Sequence, residues 1–406
     1  MKAVSEEPIF LTRNIISLAG KERGLANMRI GIIANSLLYG PLSIRKYLQG
    51  ILVGFQICKN MCSNLKLTLL LTNMKAREIR QMLNVVEVIS VQGIRDIDVL
   101  HIPDCGRSPP QIRLIRKAYK FEIPVVVTNH GMVNTVLPSS IVYGKVFSKP
   151  FLWDLMGLLK WYVIKKSIDA IIVPSRSERY YIAKALGLPL ERLIVIHHGV
   201  NRRLYYPRPK QKCWTILETI YGMANDFILH VSSYQPKKNV EGIVAAYALL
   251  KRRFNIEEKL VIVGKQPKER LLHLAIRLGL SSKDILFTGV VPEKHLPYFY
   301  SAAKVFVFPS FHESFGMPIL EAMACGCPVV TSNVFACPEV AGDAALLVNP
   351  FDIKDIALGI YRIIEDDALR EELARRGIER SKLFTWRKSA LMHLKIYESL
   401  MGDELY

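Results

Sequence analysis

Short apolar runs alternate with amphipathic segments of helical length along most of the chain, and this alternation restricts the fold more than any other feature. In the first half the runs are MRIGII, LKLTLLLT, DVLHIP, IPVVVTNH, DAIIVPS and LIVIHHGV. After residue 206 they begin again with DFILHVSS, KLVIVG, DILFTG, AKVFVFPS and CPVVTS. Continuous apolar runs separated by helices are typical of parallel strands that are buried on both faces. The pattern therefore predicts an α/β chain with two doubly wound lobes in series.

The chain length of 406 residues suits two such lobes with short additions. We predict a Rossmann-like N-terminal domain over residues 28–206 and a second Rossmann-like domain over residues 207–385. Residues 386–406 predict an amphipathic C-terminal helix, and residues 1–27 an N-terminal extension that makes Met28 a candidate start. In doubly wound folds ligands bind beyond the carboxyl ends of the strands, so we expect functional residues just after the apolar runs.

The chain is strongly basic, and the excess lies in its first half. Its 55 Lys and Arg against 36 Asp and Glu give a formal net charge of +19. Residues 1–206 hold 29 basic and 13 acidic side chains, whereas residues 207–406 hold 26 and 23. This charge predicts an anionic partner for the N-terminal domain. Because the sequence shows no zinc-finger, RNP or other nucleic-acid motif, we expect an anionic acceptor or membrane surface and no nucleic acid.

Two apolar segments with basic flanks, residues 44–59 and 151–166, suit either a bilayer surface or a crossover helix packed on its sheet. The longest uncharged run, residues 123–144, is interrupted by prolines and amides, so we expect no membrane span. Seven cysteines make an odd set, which favours reduced thiols and a cytoplasmic chain that is at most peripheral on the inner face of the membrane. Their spacing does not predict a zinc site.

The densest cluster of chemistry-bearing residues is PSFHESFGMPILEAMACGCPVV, residues 309–330. Pro318 suits the start of a helix, so we expect the helix to begin about Met317, with Glu313 before it and Glu321 in its first turn. The N–H groups of a first helical turn bind anions, and carboxylates accept hydrogen bonds from hydroxyls. Phosphate beside hydroxyls describes a nucleotide sugar. Two simpler interpretations stay open, namely a capping box that uses Glu313 and a helix-dipole role for Glu321.

The segment ESFGMPILEAMACGCPVV resembles the Glu, seven residues, Glu signature of retaining glycosyltransferases of the GT-B fold, in particular glycosyltransferase family 4. The similarity extends from Met28 to about Leu400 and includes SYQPKKNV, HHGVN, VPEKHLPYFYSAAKVFVFPS, PEVAGDAALLVNP and FTW. It implies two Rossmann-like domains that face a cleft and a C-terminal helix that crosses back to the N-terminal domain. It also implies a metal-independent hexosyltransferase that uses a nucleotide sugar and no cofactor.

The resemblance assigns roles to the residues that match the family. Glu321 would hold the nucleotide ribose, Glu313 would lie beside the transferred sugar, and Lys238 would oppose the charge of the leaving diphosphate. His130, directly after a predicted strand, would face the donor sugar. We therefore expect His130, Glu313 and Lys238 to be the catalytic residues. Six further positions complete the expected donor site: Gly40, Ser233, Lys237, Phe315, Gly316 and Met317.

Two positions depart from the family pattern. Ser233 stands where the family often has an arginine, and the glycine-rich turn of the first domain is reduced to the pair Gly40 and Pro41. These departures keep open a non-catalytic nucleotide-sugar-binding or scaffolding relative at the membrane surface. Asp96 and Asp98 have the Asp-x-Asp spacing that GT-A enzymes use for a metal, but they precede a strand in a lobe of another type. We interpret that spacing as chance.

The donor and the acceptor are predicted only by class. The segment PEVAGDAALLVNP resembles mannosyltransferase members of the family, so GDP-mannose is the first expectation for the donor and a UDP-hexose is the second. The expected acceptor is a glycan or a lipid-linked molecule. A glycosidase also needs two carboxylates, but they must flank the scissile bond, which makes that alternative weaker. We interpret His101 and His198 as structural.

Overall fold

We describe the protein from a computed structural model that covers residues 28–35, 37, 42–59, 65–71, 87–104, 109–131, 162, 164–223 and 225–401. Gly40, residues 1–27 and most of the segment 151–166 lie outside these residues, so the predictions made for them stay predictions. The chain divides into two compact units, which are described separately. The first comprises Met1–Val127, Tyr162–Ala170 and Ala390–Tyr406, and the second comprises Thr128–Trp161 and Ile171–Ser389.

Parallel strands form two sheets in the described part of the chain. The strands of the first sheet are β1 Arg29–Ile33, β2 Lys66–Leu71, β3 Glu87–Ser90, β4 Val99–Ile102, β5 Val125–Thr128, β6 Ala170–Val173 and β7 Leu193–Val195. Those of the second are β8 Phe227–Val231, β9 Lys259–Val263, β10 Ile285–Gly289, β11 Val305–Phe308, β12 Val329–Ser332 and β13 Leu346–Val348. Their orders are β3-β2-β1-β4-β5-β6-β7 and β10-β9-β8-β11-β12-β13. The predicted α/β class with two doubly wound sheets is confirmed.

Helices connect the strands, as parallel pairing requires. Those before the second sheet are α1 Leu42–Lys59, α2 Pro109–Lys120, α3 Arg176–Leu186 and α4 Lys210–Tyr221. Those among the strands of the second sheet are α5 Val240–Phe254, α6 Lys268–Arg277, α7 Leu296–Ala302, α8 Met317–Ala324 and α9 Ala336–Ala341. The chain ends with α10 Ile353–Glu365, α11 Asp367–Lys382 and α12 Trp386–Met401.

All the predicted apolar runs contain strands, because strands buried on both faces need continuous apolar sequence. In β4, β5, β6 and β11 every residue is buried. The prediction did not include β3 and β13, which are the last strands at an edge of their sheets. An edge strand needs less apolar sequence, and β13 has only one fully buried residue. The two strands that the sequence did not reveal are therefore edge strands, although the edge strands β7 and β10 were predicted.

The C-terminal helix contributes to the first unit. Tyr397 of α12 is hydrogen-bonded to His101 of β4, with 2.7 Å between Oη and Nδ1. One turn earlier, His393 Nε2 lies 2.8 Å from Tyr47 Oη, and Tyr47 lies on α1. All four side chains are buried. This packing confirms that the C-terminal helix crosses back to the N-terminal part of the chain, and it gives His101 a structural role.

The strand order of the second sheet reverses between two neighbouring strands, β8 and β11. The chain proceeds outward from β8 through β9 to β10, and then from β11 through β12 to β13 on the other side. Buried side chains cover both faces of this sheet, with α4, α7 and α8 in one layer and α5 and α10 in the other. Such a reversal opens a crevice beyond the carboxyl ends of the two central strands. The loops after β8 and β11 are therefore the place to look for a ligand site.

Candidate functional site

Main-chain and amide hydrogen bonds join the loop after β8 to the loop after β11. The N–H of Phe311 donates to the carbonyl oxygen of Lys237 at 2.8 Å. Asn239 Nδ2 donates to the carbonyl oxygens of Pro309, at 3.1 Å, and Pro350, at 2.8 Å. Asn239 has the left-handed φ of 56°, a conformation that asparagine tolerates better than most residues. These bonds hold the predicted lysines against the loop that carries the first glutamate.

Lys238 and Glu313 form a buried ion pair at this junction. Lys238 Nζ donates to Glu313 Oε1 at 2.5 Å, and the two side chains are 15% and 7% exposed. Burial alone would raise the pKa of Glu313, but the ammonium groups of Lys238 and Lys237 outweigh burial and lower this pKa below its ordinary value. The carboxylate is therefore ionised at neutral pH, and two ammonium groups lie near it.

The helix that follows the pair begins at Met317. Gly316 is its N-cap and has the left-handed φ of 94°, which explains why a glycine stands there. The structure confirms that Glu313 lies before the helix, so a capping box does not explain this residue. The placement of Glu321 in the first turn was wrong, because Glu321 is the fifth residue of α8. A helix-dipole role for Glu321 loses its support for the same reason.

Glu321 is held from the interior of the second unit. The residue is only 5% exposed, and Tyr300 Oη of α7 donates to its Oε2 at 3.1 Å. Burial first, and then the Glu321 carboxylate, raise the pKa of Tyr300 well above its ordinary value, so the phenol stays a hydrogen-bond donor. A carboxylate held in this way is of the type that accepts hydrogen bonds from the hydroxyl groups of a ligand.

His130 lies beside the same loop, directly after β5. Ser314 Oγ donates to the carbonyl oxygen of His130 at 2.8 Å, and the His130 ring lies 5.2 Å from the ring of His198. His198 is buried between aromatic rings, with centroids 4.9 Å from Phe315 and 5.9 Å from Trp386. The structure therefore brings His130 to the segment that contains Glu313 and gives His198 a packing role.

The predicted donor residues Ser233, Met317 and Phe315 lie in different environments. Ser233 is exposed in the loop after β8, and Met317 is half-buried at the start of α8. The Phe315 side chain is 2% exposed and packs against Phe384 at 5.9 Å, so a donor contact from Phe315 would come from its backbone. Gly40 lies outside the described residues.

The Asp-x-Asp sequence of the first unit has a structural partner. Asp98 accepts hydrogen bonds from the Arg29 backbone N–H and guanidinium, both at 2.7 Å. The described residues contain no group of three His, Cys, Asp or Glu side chains placed to hold a metal ion. Among the helices of the described residues, none has the length and apolar character that a bilayer crossing needs.

A third buried acid, Glu178, lies near the histidine that precedes Glu313, and the sequence did not indicate this contact. His312 directly precedes Glu313, and its Nε2 lies 3.6 Å from Glu178 Oε2. Burial first, and then the charge of Lys237, lower the pKa of His312 to about 4, so the ring is neutral at pH 7. Glu178 is the third residue of α3, and its N–H donates to the N-cap Ser175 Oγ at 3.0 Å. Only the fold brings residues so distant in sequence together.

Solved structures of other proteins have the same fold. Anabaena HepE, solved in complex with UDP and glucose, superimposes with a TM-score of 0.70 at 19% identity over 92% of this chain and 100% of its own. WaaG, a glycosyltransferase involved in lipopolysaccharide biosynthesis, superimposes with a TM-score of 0.64 at 15% identity over 91% of this chain and 99% of its own. The fold is the GT-B fold of glycosyltransferases.

Two family profiles match in tandem. The profile described as Glycosyltransferase Family 4 matches residues 69–204, and the profile described as Glycosyl transferases group 1 matches residues 222–380. The chain belongs to glycosyltransferase family 4.

The similar curated proteins include several mannosyltransferases. O-antigen chain mannosyltransferase B of Escherichia coli is 33% identical over 241 residues, which cover 58% of this chain and 63% of that protein. Serotype-specific mannosyltransferase WbdA of Escherichia coli is 32% identical over 236 residues, which cover 57% of this chain and 29% of that protein. The chain thus spans less than two thirds of the length of these two relatives.

Proposed function

We propose that this protein transfers mannose from GDP-mannose to a hydroxyl of a glycan or lipid-linked acceptor, with retention of the anomeric configuration and without a metal ion. The observation that carries the proposal is the buried Lys238–Glu313 pair at 2.5 Å, directly ahead of the glycine-capped start of α8. The choice of sugar is supported by the names of the mannosyltransferases to which the chain is similar. A UDP-hexose is the second candidate donor.

The chemistry of the site fits departure of a nucleoside diphosphate. In the proposed step the bond from the sugar carbon to the diphosphate oxygen breaks and the bond to the acceptor oxygen forms on the same face. The acceptor proton passes to the departing phosphate. Lys238, Lys237 and the N–H groups at the start of α8 oppose the growing negative charge, which is where preorganised charge lowers a barrier. These groups supply the positive charge that the reaction needs.

Glu313 has a different role, because its lowered pKa keeps it ionised. An ionised carboxylate cannot act as a general acid, but it accepts hydrogen bonds from sugar hydroxyls and opposes positive charge at the reacting carbon. We assign Glu321 to the nucleotide ribose and His130 to the donor sugar. The position of His130 beside Ser314 supports this assignment.

The donor belongs, in this proposal, to the domain of residues 207–385, which contains Lys238 and Glu313. The acceptor belongs to the domain of residues 28–206, whose basic excess favours a phosphorylated or lipid-linked acceptor at the anionic cytoplasmic face of a membrane. Two apolar side chains of α1, Val53 and Ile57, are 48% and 38% exposed and support contact with such a surface.

The test of the reaction is a transfer assay with GDP-mannose and α-mannoside acceptors, with and without EDTA. We expect a product whose new linkage has the anomeric configuration of the donor, at a rate that EDTA does not change, as read by NMR of the product. A product of inverted configuration would refute retention. Nucleotide binding without turnover on any acceptor would favour the scaffolding alternative.

The two glutamates are tested by separate variants. We expect Glu321→Ala to weaken nucleotide binding about tenfold, because a charged hydrogen bond to the ribose is lost. Glu313→Ala should leave nucleotide affinity within about threefold and reduce transfer by about 100-fold or more. Isothermal titration with GDP and steady-state kinetics separate the two effects. Wild-type affinity and turnover in both variants would refute the assignment.

A further inference from the structure

Phe335 has a backbone conformation that its side chain does not favour. It is the N-cap of α9, with φ 53° and ψ −134°. L-residues with a bulky side chain rarely adopt this region, and such outliers cluster at ligand sites. The same position would suit a glycine without strain. The ring of Phe335 therefore needs an explanation beyond the turn itself.

The ring lies beside the candidate catalytic loop and is partly open to solvent. The N–H of Ala336 donates to the carbonyl oxygen of Glu313 at 3.4 Å, which places this segment against the loop after β11. The rings of Phe335 and His312 lie in a T-shaped arrangement with centroids 4.3 Å apart, and the Phe335 ring lies 6.2 Å from that of Tyr181. Phe335 nevertheless keeps 38% of its surface exposed. An apolar side chain that is partly exposed thus lies in the segment next to Glu313.

Polar groups accompany this apolar face. The ring nitrogens of His312 are buried and make no hydrogen bond with any described residue. Glu178 Oε2, 3.6 Å from His312 Nε2, adds a carboxylate to the same cluster. An apolar face with a few buried polar groups is the usual composition of a small-ligand site. A pyranose ring, with one face of C–H groups and hydroxyls around its edge, matches this composition.

We propose that Phe335 is a sugar-binding residue whose ring packs against the C–H face of the pyranose bound beside Glu313. The aromatic face carries negative charge density, so it attracts the partly positive C–H groups of a sugar. The residue then determines which pyranose the site accepts. This inference rests on the proposed mannosyl transfer, because that function places a sugar at Glu313.

The competing explanation is that Phe335 only covers His312. Under both explanations Phe335→Gly relieves the backbone and removes the packing of the ring on His312, so stability does not separate them. Sugar affinity does. The test therefore compares Phe335→Gly, which removes the ring, with Phe335→Tyr, which keeps an aromatic face. Asn255→Gly is the control for backbone relief, since Asn255 has φ 50° at the C-cap of α5.

The measurements are the affinities for GDP and GDP-mannose and the KM for methyl α-mannoside as acceptor. We expect Phe335→Gly to bind GDP within twofold of wild type and to lose about tenfold in sugar recognition, with Phe335→Tyr and Asn255→Gly unchanged. A loss confined to GDP-mannose identifies the donor sugar as the ligand, and a loss in the acceptor KM identifies the acceptor sugar.

Two results would overturn the inference while the proposed function stands. In the first, Phe335→Gly binds GDP, GDP-mannose and the mannoside as tightly as the wild type does. In the second, Phe335→Tyr loses as much sugar recognition as Phe335→Gly. A wild-type protein that binds neither GDP nor GDP-mannose would instead refute the proposed function, and the pyranose assignment with it.

Discussion

The second unit contains two buried lysine–glutamate pairs with nearly the same geometry. Lys238 and Glu313 are 2.5 Å apart with side chains 15% and 7% exposed, and Lys304 and Glu258 are 2.6 Å apart with side chains 18% and 9% exposed. Distance and burial therefore do not distinguish a catalytic pair from a structural one. The difference between them lies in their place on the sheet.

The two pairs lie at opposite ends of the strands of the second sheet. Lys304 directly precedes β11 and Glu258 directly precedes β9, so this pair belongs to the amino ends of the strands. Lys238 and Glu313 follow β8 and β11, at the carboxyl ends where the strand order reverses. Residues with a left-handed backbone conformation and the start of a helix also lie near the pair at the carboxyl ends. A structural pair at the amino ends of the strands needs neither feature. Position in the topology, more than the pair itself, indicates function.

The largest expected effect is on turnover after removal of each lysine. Lys238→Ala should lower kcat for mannosyl transfer by about 10²–10³-fold, because the cation that opposes the leaving charge is lost. Lys304→Ala should stay within about threefold of wild type per folded molecule. Steady-state kinetics at saturating donor measure both. Equal losses in the two variants would contradict the comparison.

Stability should show the opposite order. Removing one partner of a buried pair leaves an uncompensated charge, which costs about 3–5 kcal/mol in other proteins. We expect Lys304→Ala to lower the free energy of unfolding by about 3 kcal/mol. Lys238→Ala should cost about half as much, because Lys237 remains near enough to lower the pKa of Glu313. Urea unfolding at pH 7 gives both free energies, and a larger loss for Lys238→Ala would refute this reasoning.

The segment before Glu313 should also contribute a pH dependence of stability, through His312. The pKa of folded His312 is about 4 and that of an unfolded histidine is about 6.5, so between these values the unfolded chain binds the proton and the folded chain does not. His312 therefore makes the free energy of unfolding fall as the pH is lowered through this window, by up to about 1.4 kcal/mol per pH unit. His312→Asn should flatten this slope. Burial also lowers the pKa of His230 to about 4, and His230 contributes equally to the slope of the wild type and of the variant. An unchanged slope in the variant would contradict the assignment.

The smallest expected effect separates two buried tyrosines. Tyr300 donates to the Glu321 carboxylate at 3.1 Å, whereas Tyr247 donates to the carbonyl oxygen of Glu258 at 2.9 Å. Replacement of either by Phe should cost about 1 kcal/mol of stability. Only Tyr300→Phe should weaken GDP binding, by a few-fold, because Glu321 loses its orientation. Matching GDP affinities in the two variants would argue against the ribose role of Glu321.

Much of the fold was predictable, because parallel strands that are buried on both faces need continuous apolar runs in the sequence. The start of α8 was predictable from Pro318, but the turn that contains Glu321 was placed wrongly. Gly316 has a left-handed conformation and is the N-cap, so the helix begins at Met317. Its first turn therefore ends before residue 321. The roles of the two glutamates and of Lys238 came from a resemblance, and the structure added the pairing of Lys238 with Glu313.

Other parts of the site could not be predicted from the sequence, because they depend on contacts between distant segments. Glu178 and His312 meet through tertiary packing alone. Asn239 looks like a turn residue until its amide is seen to join two loops. The contact of Phe335 with the His312 ring likewise has no local signature. Sequence patterns reveal periodicity and local turns. They do not reveal these three contacts, which join segments that are distant in sequence.

The central claim is that Glu313 is the catalytic carboxylate, and the most direct measurement is turnover of Glu313→Gln beside Glu258→Gln. Each variant removes the carboxylate charge from one of the two similar pairs and keeps its shape. With GDP-mannose at saturation, we predict that Glu313→Gln loses about 100-fold or more in kcat per folded molecule, while Glu258→Gln stays within about threefold. Equal turnover in the two variants would contradict the account.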